Sequence, residues 1–382
     1  MTAVTMLAAQ RGGTSRQGQH AYPNTARLVL LLIMLAATVL LFAKPPPIER
    51  ARRLAYTPTQ IRESRLKPAN IGIEHPVRAA YVILVRNSEL HELRATIRQL
   101  EDQFNARHRY PYVFLNNEPF TEEFKRAMEW VTSGDCHFGL VPYEHWSMPP
   151  WVDRVRAKWA MAMLGSKVPY GDSESYRKMC RYESGFFFLH PLLDNYDYYW
   201  RVEPGVEFSC AIPYDPFKYM ADNKKIYGFT ISLREIPLTV KTLWKTTNAF
   251  RAAYPEYIAP NNTLSWITAA NGDYNMCHVW SNFEIASLDF FRSPQYTAYF
   301  DFLDRAGGFF LERWGDAPVH TLAAAMFLNK SQVHYFDSIG YYHRPFQNCP
   351  TDPQFNMQHC FCNPNRSMIH HEDSCTNAWL QL

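Results

Sequence analysis

From Ala79 to Val85 the chain reads Ala-Ala-Tyr-Val-Ile-Leu-Val, an unbroken apolar, β-prone run of buried-strand length, closed by Arg86-Asn87-Ser88. Apolar positions then recur at Leu90, Leu93, Ile97, Leu100 and Phe104. That 3-4-3-4 spacing predicts an amphipathic helix with Ser88 as its N-cap and Glu89 and Glu92 in its first turn. Tyr112 to Leu115 predicts a second strand, and Thr121 opens a second helix through Phe124, Met128 and Val131. The order β-α-β-α predicts an α/β fold with a mostly parallel central sheet flanked by helices, and ligands at the C-terminal ends of its strands. Further helices are expected at 151–164, at 173–182, at 239–253 behind Thr239, and at 317–329 behind Asp316 with Pro318 in its first turn. No repeat or linker interrupts 79–382, which reads as one domain.

The pattern upstream is different. Residues 28–43 (Leu28 to Ala43) form sixteen consecutive uncharged, mostly apolar positions between Arg27 and Lys44. As a helix this segment covers roughly 24 Å, short for an average bilayer but workable for a thin early-secretory membrane if the flanking cations snorkel. The 27 preceding residues are long for a signal n-region, and Lys44-Pro45-Pro46-Pro47 is a poor cleavage site, so an uncleaved signal-anchor is expected rather than a signal peptide. Residues 1–27 would be a cytoplasmic tail. Residues 44–78, with six prolines, many charges and little apolar periodicity, read as a stem. Three sequons, at Asn261, Asn329 and Asn365, and the cysteines Cys349, Cys360, Cys362 and Cys375 favour a lumenal 79–382 with two or more disulfides. Cys277, inside a candidate pocket segment, is expected to be unpaired.

Charge sharpens the division. The formal +3 averages a basic N-terminal part with an acidic domain: residues 1–78 carry eleven Lys/Arg against Glu49, Glu63 and Glu74. The remaining 28 basic residues face 33 acidic ones, so nucleic acid is not expected as a partner. A mildly acidic domain suits a protein that holds a cation or applies carboxylates to a neutral substrate. With 47% hydrophobic residues, 382 positions supply a large core, and eight cysteines are too few for a disulfide miniprotein.

Four segments could carry chemistry. Tyr198 to Arg201 reads as a strand that runs through Val202 into Glu203-Pro204-Gly205, placing a carboxylate where the chain turns. Such an acid either binds Mg²⁺ or Mn²⁺ beside substrate phosphates or is simply solvated. In Tyr274 to Ile285, polar and large apolar residues alternate as in a pocket lining. Glu284, among Phe283, Ile285 and Ala286, is a candidate partly desolvated acid for work on a sugar carbon, or a structural carboxylate. Phe309 to His320 offers Asp316 as a helix cap or functional acid, and Gly340 to Pro345 offers His343 as a packed residue or ligand. The P-loop, GxGxxG, HExxH and GxSxG patterns do not occur where those chemistries need them.

Together these segments resemble the fungal Golgi α-1,2-mannosyltransferases, glycosyltransferase family 15, type II membrane proteins that extend N- and O-linked mannans. The resemblance runs over essentially all of 79–382. It is carried by Pro169-Tyr170-Gly171 with Ser175-Tyr176-Arg177, Ser184-Gly185-Phe186-Phe187, Trp200-Arg201-Val202-Glu203-Pro204, Trp280-Ser281-Asn282-Phe283-Glu284, Glu312-Arg313-Trp314-Gly315-Asp316 and Tyr342-His343. It implies a GT-A type nucleotide-sugar transferase that moves mannose from GDP-mannose to a mannosylated glycan or glycoprotein with retention, in the Golgi. It implies Mn²⁺ held by Glu203 and His343. It implies that Arg86 sits in the nucleotide site, Tyr176 near the donor phosphate and mannose, Arg201 against substrate, Glu284 at the reaction centre as nucleophile, and Asp316 beside the acceptor hydroxyl. Some members carry Asp where Gly205 stands here. A different linkage, mannosyl-phosphate transfer, or an inactive carbohydrate-binding paralogue are the alternatives.

Overall fold

The computed structural model describes residues 75–382. The expected tail 1–27, the anchor 28–43 and nearly all of the stem 44–78 lie outside the described residues. Among the described residues no helix is long and apolar enough to cross a membrane.

The first strand, β1 (Ala79–Leu84), leads into α1 (Leu90–Leu100), β2 (Tyr112–Asn116), α2 (Glu122–Val131) and β3 (Cys136–Leu140). Then come α3 (Arg154–Leu164), α4 (Glu174–Gly185), β4 (Tyr198–Arg201), β5 (Glu207–Phe208), β6 (Tyr227–Phe229), β7 (Ser232–Arg234) and α5 (Leu243–Ala253). The remaining main elements are β8 (Cys277–Val279), β9 (Glu284–Ser287), α6 (Pro294–Ala306), α7 (Asp316–Phe327), β10 (Val333–Tyr335), β11 (Tyr341–His343) and β12 (Phe346–Asn348). Seven strands form the central sheet in the order β10-β6-β9-β4-β1-β2-β3.

The sheet is mixed rather than simply parallel. β1, β2, β3 and β4 are mutually parallel, as are β6 and β10, but β9 runs antiparallel to both β4 and β6. A strand-helix alternation at the N-terminus cannot report the direction of a four-residue strand inserted 200 positions later. β1 is buried on both faces, with Ala80 and Val82 in one apolar cluster and Tyr81 and Ile83 in the other, as period-two alternation between two helical layers requires.

Several boundaries moved for identifiable reasons. Ser88 is not the first cap: Asn87–Glu89 forms a 3-10 turn, the Glu89 carboxylate accepts from the Arg86 amide, and α1 starts at Leu90. Thr121 does cap α2, accepting from the Phe124 amide. α3 starts at Arg154 because Asp153 caps it through the Val155 and Arg156 amides. Thr239 stands in a 3-10 turn, so α5 begins only at Leu243. Asp316 is the first residue of α7 with Gly315 in the cap position, and its carboxylate is engaged elsewhere. Disulfides join Cys210 to Cys360, Cys277 to Cys375 and Cys349 to Cys362, so Cys277 is paired, contrary to expectation.

Candidate active site

A cavity of about 850 Å³ opens at the C-terminal ends of β1, β2 and β4, lined by Leu84, Val85, Arg86 and Asn116 on one side and by Glu203, Trp280, His343 and Phe346 on the other. β4 ends at Arg201, and the Glu203-Pro204-Gly205 turn follows, with Gly205 at φ 80°, a left-handed conformation that glycine adopts without penalty. The chain then enters β5, which pairs antiparallel with β11 (Tyr341 opposite Phe208, Tyr342 opposite Glu207). That register carries His343, the last residue of β11, to the turn. Its Nε2 lies 3.9 Å from Glu203 Oε2, and its buried Nδ1 has no hydrogen-bond partner. Trp280 packs edge-on against the imidazole, centroids 4.7 Å apart. One carboxylate oxygen and one imidazole nitrogen 3.9 Å apart at the wall of an open cavity are donors of the kind that Mn²⁺ accepts. Gly205 does not line the cavity, so the missing side chain there leaves the donor set intact.

Arg201 organises the floor. Its Nη1 donates to Asp316 Oδ2 at 2.6 Å and its Nη2 to Glu203 Oε1 at 2.5 Å, while Glu183 Oε2 stands 3.9 Å from Nη1. Burial alone would lower its pKa, but Glu183, Asp316, Glu203 and Glu284 together hold it well above the ordinary arginine value. Asp316 also accepts from Ser281 Oγ at 2.6 Å. Burial opposes its ionisation, yet the Arg201 guanidinium leads the groups that bring its carboxyl down to about 2. Four acids around one guanidinium leave local negative charge that a divalent cation offsets.

Glu284 lies one layer deeper. In the β4–β9 register it is opposite Arg201, but it is fully buried and does not line the cavity. Its carboxylate accepts from the Tyr199 hydroxyl, from the Tyr227 hydroxyl at 2.6 Å and from His320 Nδ1 at 2.7 Å. His320 Nε2 faces the Glu183 carbonyl at 3.2 Å. Both ring nitrogens therefore face acceptors, which favours the doubly protonated ring. Burial would lower the His320 pKa, but the Glu284 carboxylate raises it above the usual histidine value.

Another wall of the cavity is built on α4. Arg86, exposed just beyond β1, donates to Ser175 Oγ at 2.9 Å. Ser173 caps the helix through the Tyr176 amide, and the Tyr176 ring is stacked on Tyr170 at 4.5 Å beneath the Arg313 guanidinium. Arg86, Tyr176, Arg201, Glu203, Asp316 and His343 thus share one cavity, and Glu284 stands behind it. Sequence reasoning missed Glu183, Ser281 and the Tyr199-Tyr227-His320 set. Only the four-residue spacing from Asp316 to His320, one helix face, hinted at any of them.

A family model described as glycolipid 2-alpha-mannosyltransferase matches residues 54–382. The chain belongs to this family. It is 51% identical over 308 residues to the alpha-1,2 mannosyltransferase KTR1 of Saccharomyces cerevisiae, covering 80% of this chain and 78% of that protein. It is likewise 51% identical over 308 residues to the glycolipid 2-alpha-mannosyltransferase 2 of Candida albicans, covering 80% and 67%. Among solved structures, the Mn/GDP form of core-mannan synthase A from Aspergillus fumigatus superposes with a TM-score of 0.76 at 43% identity, covering 83% of this chain and 87% of that one.

Proposed function

We propose that this protein is a retaining, Mn²⁺-dependent α-1,2-mannosyltransferase of GT-A type, moving mannose from GDP-mannose to a mannosyl unit on a glycoprotein glycan. The observation that carries the reading is the convergence of Glu203 and His343 at the lip of the cavity, in a family whose Aspergillus member was solved with Mn and GDP. Mn²⁺, when bound, would neutralise the charge gained by the diphosphate as the C1–O bond breaks.

The chain's own residues do the rest. Arg201 fixes Glu203 and Asp316 from its two nitrogens, so the metal-binding carboxylate and the acid assigned to the acceptor hydroxyl are oriented by one side chain. Arg86 faces the nucleotide and Tyr176 the phosphate and sugar. Glu284 is buried outside the cavity lining, and to bond mannose it would have to reach the cavity and free an oxygen, Oε2 from the Tyr199 hydroxyl or Oε1 from Tyr227 and His320. That favours front-face attack, with Glu284 steadying the positive charge at C1 from behind the cavity wall, its own charge pinned by His320.

The protein is proposed to act in the Golgi as a single-pass type II membrane protein, anchored by residues 28–43 with 79–382 in the lumen. Three disulfides and the exposed sequon residues Asn261 and Asn365 support that placement. The test is transfer from GDP-mannose to mannobiose by the detergent-solubilised full chain, with and without Mn²⁺, the new linkage read by NMR. An α-1,2 product that forms only with the metal is expected; a different linkage, a mannosyl-phosphate product or no turnover refutes the assignment.

A further inference from the structure

The carboxylates around Arg201 differ in how fully their oxygens are occupied. Asp316, Glu203 and Glu284 each accept at least one short hydrogen bond. Glu183 accepts none among the described residues. Its closest cation, Arg201 Nη1, stands 3.9 Å away, beyond hydrogen-bond range, although its side chain is only 4% exposed and lines the cavity. Burial pushes its pKa up to about 7, against the pull of Arg201 and with Asp316 and Glu203 adding to the rise. A buried carboxylate in this condition carries the desolvation penalty without the hydrogen bonds that normally offset it, a pattern concentrated where a ligand supplies them.

Its position is fixed by packing. The Glu183 carbonyl is held by His320 Nε2 and the Ser184 carbonyl by the Tyr296 hydroxyl at 2.8 Å. At Gly185 an added Cβ would stand 2.0 Å from the Phe300 ring, so the end of α4 is seated without slack. α4 also works as a ruler. Ser175, bonded to Arg86, is near its first turn and Glu183 near its last, about 12 Å further along the axis. With a nucleoside diphosphate at Arg86 and its phosphates at Glu203 and His343, Glu183 in the same cavity is left as an open acceptor for the sugar.

We propose that Glu183 accepts a hydrogen bond from a hydroxyl of the transferred hexose and selects the donor by its sugar rather than by its nucleotide. This rests on the donor assignment above. A carboxylate facing a neutral polyol gives strong selection, because a sugar lacking the hydroxyl leaves a buried acceptor unpaired.

The test is equilibrium binding of GDP and of GDP-mannose to the solubilised full chain with Mn²⁺, in the parent and in Glu183→Met, which keeps length and removes the acceptor. GDP affinity within about 2-fold of the parent, with GDP-mannose weakened at least ~10-fold, is expected. Across single-deoxy GDP-mannose analogues, one should bind the parent poorly and Glu183→Met no worse. Equal loss for GDP and GDP-mannose, or no loss for either, overturns the inference. Should Glu183→Met fail to fold, Glu183→Asp, which withdraws the carboxylate by one methylene, must show the same sugar-only loss. A parent that binds no GDP with Mn²⁺ overturns the donor assignment itself, and this inference with it.

Discussion

Glu203 and Glu284 lie on opposite sides of the same arginine and differ in almost everything else. Glu203 is about a quarter exposed, makes one bond to Arg201 and faces an imidazole across open space. Glu284 has no exposure, and two tyrosines and a histidine occupy it. The lip of the cavity keeps free lone pairs for what will bind; the layer behind is closed on itself and supplies fixed charge. Residue type is the same in both, so function here divides by the state of the hydrogen bonds around each carboxylate.

That division is broken most readily at the lip. Glu203→Ala and His343→Ala should each reduce Mn²⁺-dependent transfer by more than ~10³-fold while the chain still folds, destabilised by only about 1 kcal/mol through the lost bond to Arg201 or the lost packing on Trp280. Transfer assays paired with thermal melts check both halves, and full activity in either variant would remove the metal assignment. In the layer behind, Glu284→Gln should lower both quantities: transfer at least ~10²-fold slower, and stability reduced by about 3 kcal/mol because His320 is left charged opposite a neutral amide. An unchanged melting point would show that the buried set is not a closed ion-pair network.

Acid titration sharpens the contrast next. The Asp316 pKa falls from 3.8 unfolded to about 2 folded, so its contribution is present above the unfolded value and is lost as pH falls between those limits. The loss is about 2 kcal/mol, and Asp316→Asn should lack that limb when denaturant midpoints are followed from pH 5 to pH 2. The smallest effect is expected at Gly205. A Cβ there meets nothing within 4 Å, but φ is 80°, so Gly205→Ala should destabilise by about 1 kcal/mol and leave Mn²⁺ affinity, measured by calorimetry, within about 2-fold.

Much of the scaffold was readable before any coordinates. β1, β2 and β4 are apolar or aromatic runs whose burial on both faces leaves an unambiguous pattern, and the Thr121 cap is a local signal. The direction of β9 was not legible, because strand orientation depends on a connection and not on its four residues. Within the site, Glu203 stood out at the end of a strand, but His343 comes 140 positions later and meets it only through the β5–β11 register. Glu183 and His320 were invisible for a related reason: a vacant lone pair and a doubly bonded imidazole are properties of neighbours brought together by folding. Cys277 was misread because the partner that claims it lies 98 positions away.

The Cys277–Cys375 link also bears on biogenesis. Cys277 begins the strand that leads to Trp280 and Ser281 in the cavity wall, and its partner is synthesised almost a hundred residues later. The cavity wall is therefore stapled only after His343 and the second cysteine have both been synthesised. A nascent chain arrested before that point would carry Arg86 and Glu203 yet have no finished chamber in which to hold a sugar nucleotide.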